Sequence, residues 1–339
     1  MKRVISLLVV MALLLCGCAS LQKQEQKQYT ATFLTLFDTV TTIVGHAESQ
    51  EAFTAQAQQI HDDLQVYHQL FDIYNDYEGI NNLKTVNDQA GIAPVQVDQA
   101  IIDLLLDCRD YYALTGGRVN VAMGSVLSLW HHARNRGVSD PANAALPDMR
   151  ELEQAAEHIR FEEILIDEAA STVYIPDPAM SLDVGAIAKG WATQRAAENA
   201  PAGMLISVGG NVCATGPKQG EHPWVIGIQN PDGGDYLHTI YVTAECVVTS
   251  GDYQRTYTVD GKKYHHIIDP ETLMPAAYWR SVSIVCEDSA LADALSTALF
   301  LLPLDEGRAL AEMSGADVLW IDLEGNEFMT PGFETILRT

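Results

Sequence analysis

From Met204 onward the chain is cut into short strand-like runs, and this segmentation constrains its fold more than any other feature. Runs at 205–214, 224–229, 237–248 and 281–285 are rich in Val, Ile, Thr and Trp, and Gly, Pro, Asp and Asn stand between them. A hairpin turning at Asp260-Gly261 sits among them, and strands at 316–322 and 326–329 finish the chain. Runs this short and closely spaced leave little room for crossover helices, so most must pair antiparallel. The first half reads differently. After a strand-like stretch at 30–44, Ile60, Leu64, Tyr67, Phe71 and Tyr74 fall at helical spacing and predict a helix over 51–74. Asp98 caps a second helix that reaches about Leu114, where Gly116-Gly117 stops it. Further helices are expected at 147–158, 186–199, 291–301 and 304–313. Strands paired mostly antiparallel with helices packed on them give an α+β fold.

The N-terminus carries an address. Lys2 and Arg3 precede an apolar run from Val4 to Leu15, too short to span a membrane comfortably. It ends in Leu15-Cys16-Gly17-Cys18, which resembles a bacterial lipobox, where a small residue precedes the acylated cysteine. Gly17 is small, so Cys18 fits and Cys16, after Leu15, does not. Residues 1–17 then form a lipoprotein signal peptide, 18–28 a polar tether, and 29–339 one domain. The expected location is extracytoplasmic, lipid-anchored to the cytoplasmic membrane through Cys18.

The formal charge of −25 argues against nucleic acid or an anionic membrane surface as a partner, and no basic patch or nucleic-acid motif appears. A phosphate-bearing ligand would need local help from a cation, a lysine or backbone N–H groups. Cys108, Cys213, Cys246 and Cys286 are widely spaced with no CxxC pair, which speaks against zinc. They leave room for one disulfide, with buried free thiols as the alternative.

Several segments carry chemistry. In Ser181-Leu-Asp-Val-Gly-Ala-Ile-Ala-Lys-Gly190 a strand-like run delivers Asp183, and Gly185 leads into a helix with Lys189 one turn in. Exposed N–H groups at such a helix start suit phosphate. Thr249-Ser-Gly-Asp-Tyr253 and Tyr264-His-His-Ile-Ile-Asp-Pro270 are separated by one hairpin, which would bring Ser250, Asp252 and His266 together, with His266 as proton acceptor beside a carboxylate. Asp293 and Thr297 share one face of an otherwise apolar helix, and hard oxygen ligands of that kind suit Mg²⁺. Gly116-Gly-Arg-Val-Asn120 permits close backbone approach to a ligand. Val208-Gly-Gly-Asn211 is either a turn or a ligand floor.

In this order and combination the segments resemble the bacterial ApbE family of FAD:protein FMN transferases, from about Thr35-Leu-Phe-Asp-Thr39 to Ala298. The resemblance implies an ApbE-like, T-fold-like α+β domain. It implies an enzyme that splits FAD, moves FMN onto a Thr or Ser hydroxyl of an acceptor flavoprotein and releases AMP. Asp293, Thr297 and the carbonyl of Ala186 would hold Mg²⁺. Phe37, Tyr74, Arg118, Val119, Asn120, Asp183, Lys189 and Ile268 would contact FAD, and His266, with Asp252, would serve catalysis. The acceptor would be a domain of a membrane redox complex or an extracellular flavoprotein. Three departures stand out: Asn120 where many relatives have Asp, Ser296 where some have a second Asp, and Leu273 where Gly is usual. The competing readings are an FAD pyrophosphatase giving FMN and AMP, and a lipoprotein that binds FAD without chemistry.

Overall fold

The computed structural model describes residues 26–338, so Cys18, the signal peptide and most of the tether lie outside the described residues. Within the stretch expected as tether up to Gln28, β1 (Lys27–Phe33) already begins, pairing Lys27 with Ala47 of β2 (Thr41–Ala47). The expected single strand at 30–44 is therefore a hairpin. Its connection is a 3₁₀ turn at Leu36–Asp38 in which Phe37 and Asp38 both hold φ of 52°.

The main sheet has eight strands, all antiparallel, in the order β1-β2-β6-β7-β10-β13-β14-β15. Its members are β6 (Met204–Val208), β7 (Asn211–Ala214), β10 (Cys246–Gly251), β13 (Trp279–Cys286), β14 (Asp317–Asp322) and β15 (Glu327–Met329). The run expected at 205–214 is two of these, split at Gly209-Gly210, and the run at 237–248 is also two strands, β9 (His238–Val242) and β10. β9 pairs with β8 (Trp224–Ile228) in a separate hairpin. β3 (Val95–Gln96), β4 (Leu165–Asp167) and β5 (Thr172–Tyr174) form a small second sheet, and β11 (Tyr257–Val259) and β12 (Lys262–Tyr264) form the expected hairpin.

The helices are α1 (Gln50–Phe71), α2 (Leu83–Asp88), α3 (Gln99–Leu114), α4 (Gly124–Ser139), α5 (Met149–Ala156), α6 (Ala188–Asn199), α7 (Ser289–Phe300), α8 (Leu304–Ser314) and α9 (Pro331–Ile336). α1 ends three residues before Tyr74 because Asp72 leaves helical geometry and its carboxylate collects the N–H groups of Tyr74 and Asn75. Of these, α2, α4 and α9 go beyond the sequence reading. α4 hides its periodicity behind polar residues, yet Val126, Trp130, Ala133 and Gly137 are buried at helical spacing.

One face of the sheet packs on helices. Ala192 and Ala196 of α6 sit against Ile206 and Val208, and α7 is almost wholly buried above Val248, Val282 and Ile284. The opposite face packs on the β8/β9 hairpin and Phe333. Cys213 and Cys246, directly opposite in the β7/β10 register, form a disulfide; Cys108 is a buried thiol and Cys286 a half-buried one.

Candidate active site

The helix-bearing face opens into one cavity of about 400 Å³. Lys189 of α6 and Asp293 of α7 line it where the two helices cross. Gly190 makes this crossing possible, since a Cβ there would collide with the carbonyl of Ser289 and the Cβ of Asp293. The close approach lets the N–H of Gly190 donate to Asp293 Oδ2 at 2.8 Å, while Lys189 Nζ lies 3.2 Å from the same oxygen. Asp293 is only 4% exposed, and a carboxylate so buried needs such compensation. Ser296 donates to the carbonyl of Asp293 and shares a 2.8 Å hydrogen bond with Ser250 on β10. That tie occupies the hydroxyl that replaces a second carboxylate.

Asp293, Thr297 and Ala186 all line the cavity at this end, and no cluster of three or more His, Cys, Asp or Glu occurs among the described residues. One carboxylate, one hydroxyl and one carbonyl fit Mg²⁺, which keeps several positions for water and substrate phosphate, better than a softer metal. Asp183 holds the turn into α6: Oδ1 accepts the N–H of Gly185 at 2.9 Å, and its own N–H donates to Val121. α6 starts at Ala188, two residues after the expected 186.

His266 also lines the cavity. Burial, with Arg255, His265 and Lys189 nearby, pushes its pKa down to about 3, so the ring is neutral at ordinary pH. Its Nδ1 lies 3.3 Å from the carbonyl of Gln254, and a donating Nδ1–H leaves Nε2 as the free acceptor. His265 faces away, with Nε2 2.9 Å from the carbonyl of Ala276.

Asp252 is a correction. It does not line the cavity, and the expected Asp252–His266 pair is absent; the charges it meets are those of Arg280, His265 and Lys263. β10 ends at Gly251, so Asp252 no longer follows the strand's alternation; its N–H donates to the carbonyl of Arg280 as the chain turns away.

The remaining expected residues all line the cavity, but not all point a free group into it. Arg118 pairs with Asp269 at 3.1 Å and Glu271 at 2.9 Å, which clamps the loop after Ile268. Val119 is buried in the core behind it. Asn120 donates to the carbonyl of Ile159 and accepts from the N–H of Ala122, so it braces backbone. A carboxylate at this position could not donate the first of these bonds. Leu273, in place of Gly, holds φ of 60° and is kept there by burial and by the indole N–H of Trp130 on its carbonyl. Phe37 and Tyr74 form the lip. The N–H of Phe37 donates to His68 Nδ1 at 3.3 Å, and the Tyr74 hydroxyl lies 3.2 Å from His131 Nδ1.

His68, His131, Arg255 and Asn211 also line the cavity and were not singled out as site residues in the sequence. His68 and His131 lie on helices, where their spacing looks like that of any surface histidine. Arg255, two residues past Tyr253, carried no pattern of its own.

A helix N-terminus, a lysine, one buried carboxylate, a neutral histidine and two aromatic rings thus line one cavity. The ApbE family profile matches residues 37–320. The chain belongs to the ApbE family. An FAD:protein FMN transferase of Treponema pallidum is 36% identical over 260 residues, covering 70% of each chain. One from Haemophilus influenzae is 26% identical over 349 residues, covering 97% of this chain and 96% of its own. The crystal structure of the ApbE protein of Thermotoga maritima superposes with a TM-score of 0.82 at 31% identity, over 92% of this chain and all of that one. This ApbE family member thus has the mixed, antiparallel α+β fold of its relatives.

Proposed function

We propose that this protein transfers FMN from FAD to a Thr or Ser hydroxyl of an acceptor flavoprotein and releases AMP. The observation that carries the reading is the convergence of Asp293, Thr297, Lys189 and His266 on one cavity, in a chain whose relatives are named for this reaction. The acceptor oxygen attacks the phosphorus of the FMN half, the bond from that phosphorus to the AMP oxygen breaks, and the hydroxyl proton passes to Nε2 of His266. Attack at phosphorus needs in-line placement and neutralised charge more than covalent help. Lys189 and the N-terminal turn of α6 offer donors to the pyrophosphate. Asp293, Thr297 and the Ala186 carbonyl would hold Mg²⁺, which when bound neutralises phosphate charge. Phe37 and Tyr74 offer faces to the heteroaromatic rings. A pKa near 3 makes His266 a weak base before substrate binds. The negative pyrophosphate raises it on binding, which moves it toward the range useful for proton transfer.

The same reading places the enzyme outside the cytoplasm, tethered by lipid at Cys18, with acceptors on membrane redox complexes or extracellular flavoproteins. The Cys213–Cys246 disulfide suits an oxidising compartment. Among the described residues no helix is long and apolar enough to cross a membrane. Incubating the chain from Gln22 with FAD, Mg²⁺ and a candidate acceptor tests the reaction: FMN mass added to the acceptor supports it. AMP formation with no adduct on any of several acceptors points to the pyrophosphatase. FAD binding with neither product leaves a cofactor carrier.

A further inference from the structure

One buried group on the cavity floor is unaccounted for by the chemistry above. β6 and β7 are joined by Gly209 and Gly210, with φ of 59° and 95°, a two-residue turn that only glycines enter freely. A Cβ on Gly209 would lie 2.7 Å from Thr39 Oγ1, so the turn is pressed tightly against the β1/β2 connection. This fixes Asn211 as the first residue of β7, opposite Val208. Val208 packs with α6, whereas Val212, the next residue along, packs with Trp224 and Val247 on the other face. Strand alternation therefore turns Asn211 toward the side of the sheet that carries α6 and α7.

Asn211 lines the cavity and is 3% exposed, and its Nδ2 has no hydrogen-bond partner among the described residues. A buried amide donor without a partner loses its hydration for nothing in return, so native structures rarely keep one without a use. Its neighbours on this side are satisfied: Ser250 bonds Ser296, and Ser296 bonds Asp293.

We infer that Asn211 is a substrate-positioning residue whose side-chain amide donates to a phosphate oxygen on the FMN half of bound FAD. The inference rests on the FAD reading. It favours phosphate over a ring because Asn211 faces the α6–α7 side, where Lys189 is already shared with Asp293. A neutral donor there adds a hydrogen bond to the anion without needing a further counter-charge.

The test is fluorescence titration of the whole protein with FAD, FMN and riboflavin, together with thermal unfolding of the ligand-free form. Asn211→Ala should weaken FAD and FMN about tenfold, the loss of one hydrogen bond to a charged acceptor, and leave riboflavin unchanged. Asn211→Asp should weaken FMN about a hundredfold, because a carboxylate of nearly the same shape opposes the phosphate. The ligand-free Tm of Asn211→Ala should hold or rise, since an unsatisfied buried donor has been removed. A fall in Tm with FMN affinity intact would make Asn211 a structural strut and overturn the inference. Equal losses for FMN and riboflavin would move the contact to the flavin ring or its ribityl chain and overturn the phosphate assignment. Wild-type protein that binds neither FAD nor FMN would instead defeat the FAD reading, and this inference with it.

Discussion

The two ends of the cavity are built on opposite terms. At the α6–α7 crossing a carboxylate is buried at 4% exposure, yet a backbone N–H and a lysine meet it, and the backbone around it is regular. At the lip, Phe37 and Asp38 hold left-handed backbone that costs non-glycine residues of order 1–3 kcal/mol each, and Tyr74 is 61% exposed. The buried end is fixed by packing and suits the group every substrate molecule shares, the pyrophosphate. The lip is strained and open, as expected where a ring must enter and a second protein must approach.

That contrast can be broken at its strong end first. Asp293→Ala should abolish turnover; full activity retained without Mg²⁺ would remove the metal assignment. Gly190→Ala should come next, losing at least a hundredfold in rate together with stability, because its Cβ collides with α7. A near-normal Tm and rate would show that the crossing has slack. His266→Ala should lower kcat by about 10²–10⁴. Because the free ring titrates near 3 and bound pyrophosphate raises it, the acid limb of kcat should lie at higher pH than that of kcat/KM. Coincident limbs, or a near-normal variant rate across pH, would exclude His266 as the base.

At the lip the effects shrink. Asp38→Gly should stabilise the protein by up to about 1 kcal/mol, since glycine adopts φ of 52° without strain; a loss of stability would show that the side chain, not the backbone, holds the turn. Stability as a whole should also follow pH. His266 is held well below its ordinary 6.5 in the fold, as are His131, His265 and His46 to a lesser degree. Between the folded and unfolded values the unfolded chain binds more protons, so stability is full above about 6.5 and falls as pH drops. At pH 5 the loss from His266 alone is on the order of 2 kcal/mol. An unchanged urea midpoint between pH 7.5 and 5 would contradict this.

What was legible in the sequence follows the same division. Asp183, Lys189, Asp293 and Thr297 announce themselves because a polar residue on an apolar helix, or a glycine-led turn into one, is locally anomalous. The hairpin after Tyr253 correctly brought Ser250 and His266 to one cavity. It misplaced Asp252, because β10 ends at Gly251 and the chain turns there, a boundary that is not written locally. The glycine pair at 209–210 looked like an ambiguous turn. Only the sheet order, which places β7 between β6 and β10, shows that it sets Asn211 on the cavity floor. Positive φ at Phe37 and Asp38 left no local mark, because strain there is imposed by contacts distant in sequence.

The central claim is tested most directly by intact-mass spectrometry of an acceptor domain incubated with the protein, FAD and Mg²⁺, with AMP measured in the same samples. The account predicts one FMN added per acceptor, on a Thr or Ser, with AMP formed in equal amount and both lost in Asp293→Ala. AMP accumulating while every acceptor keeps its unmodified mass would contradict it.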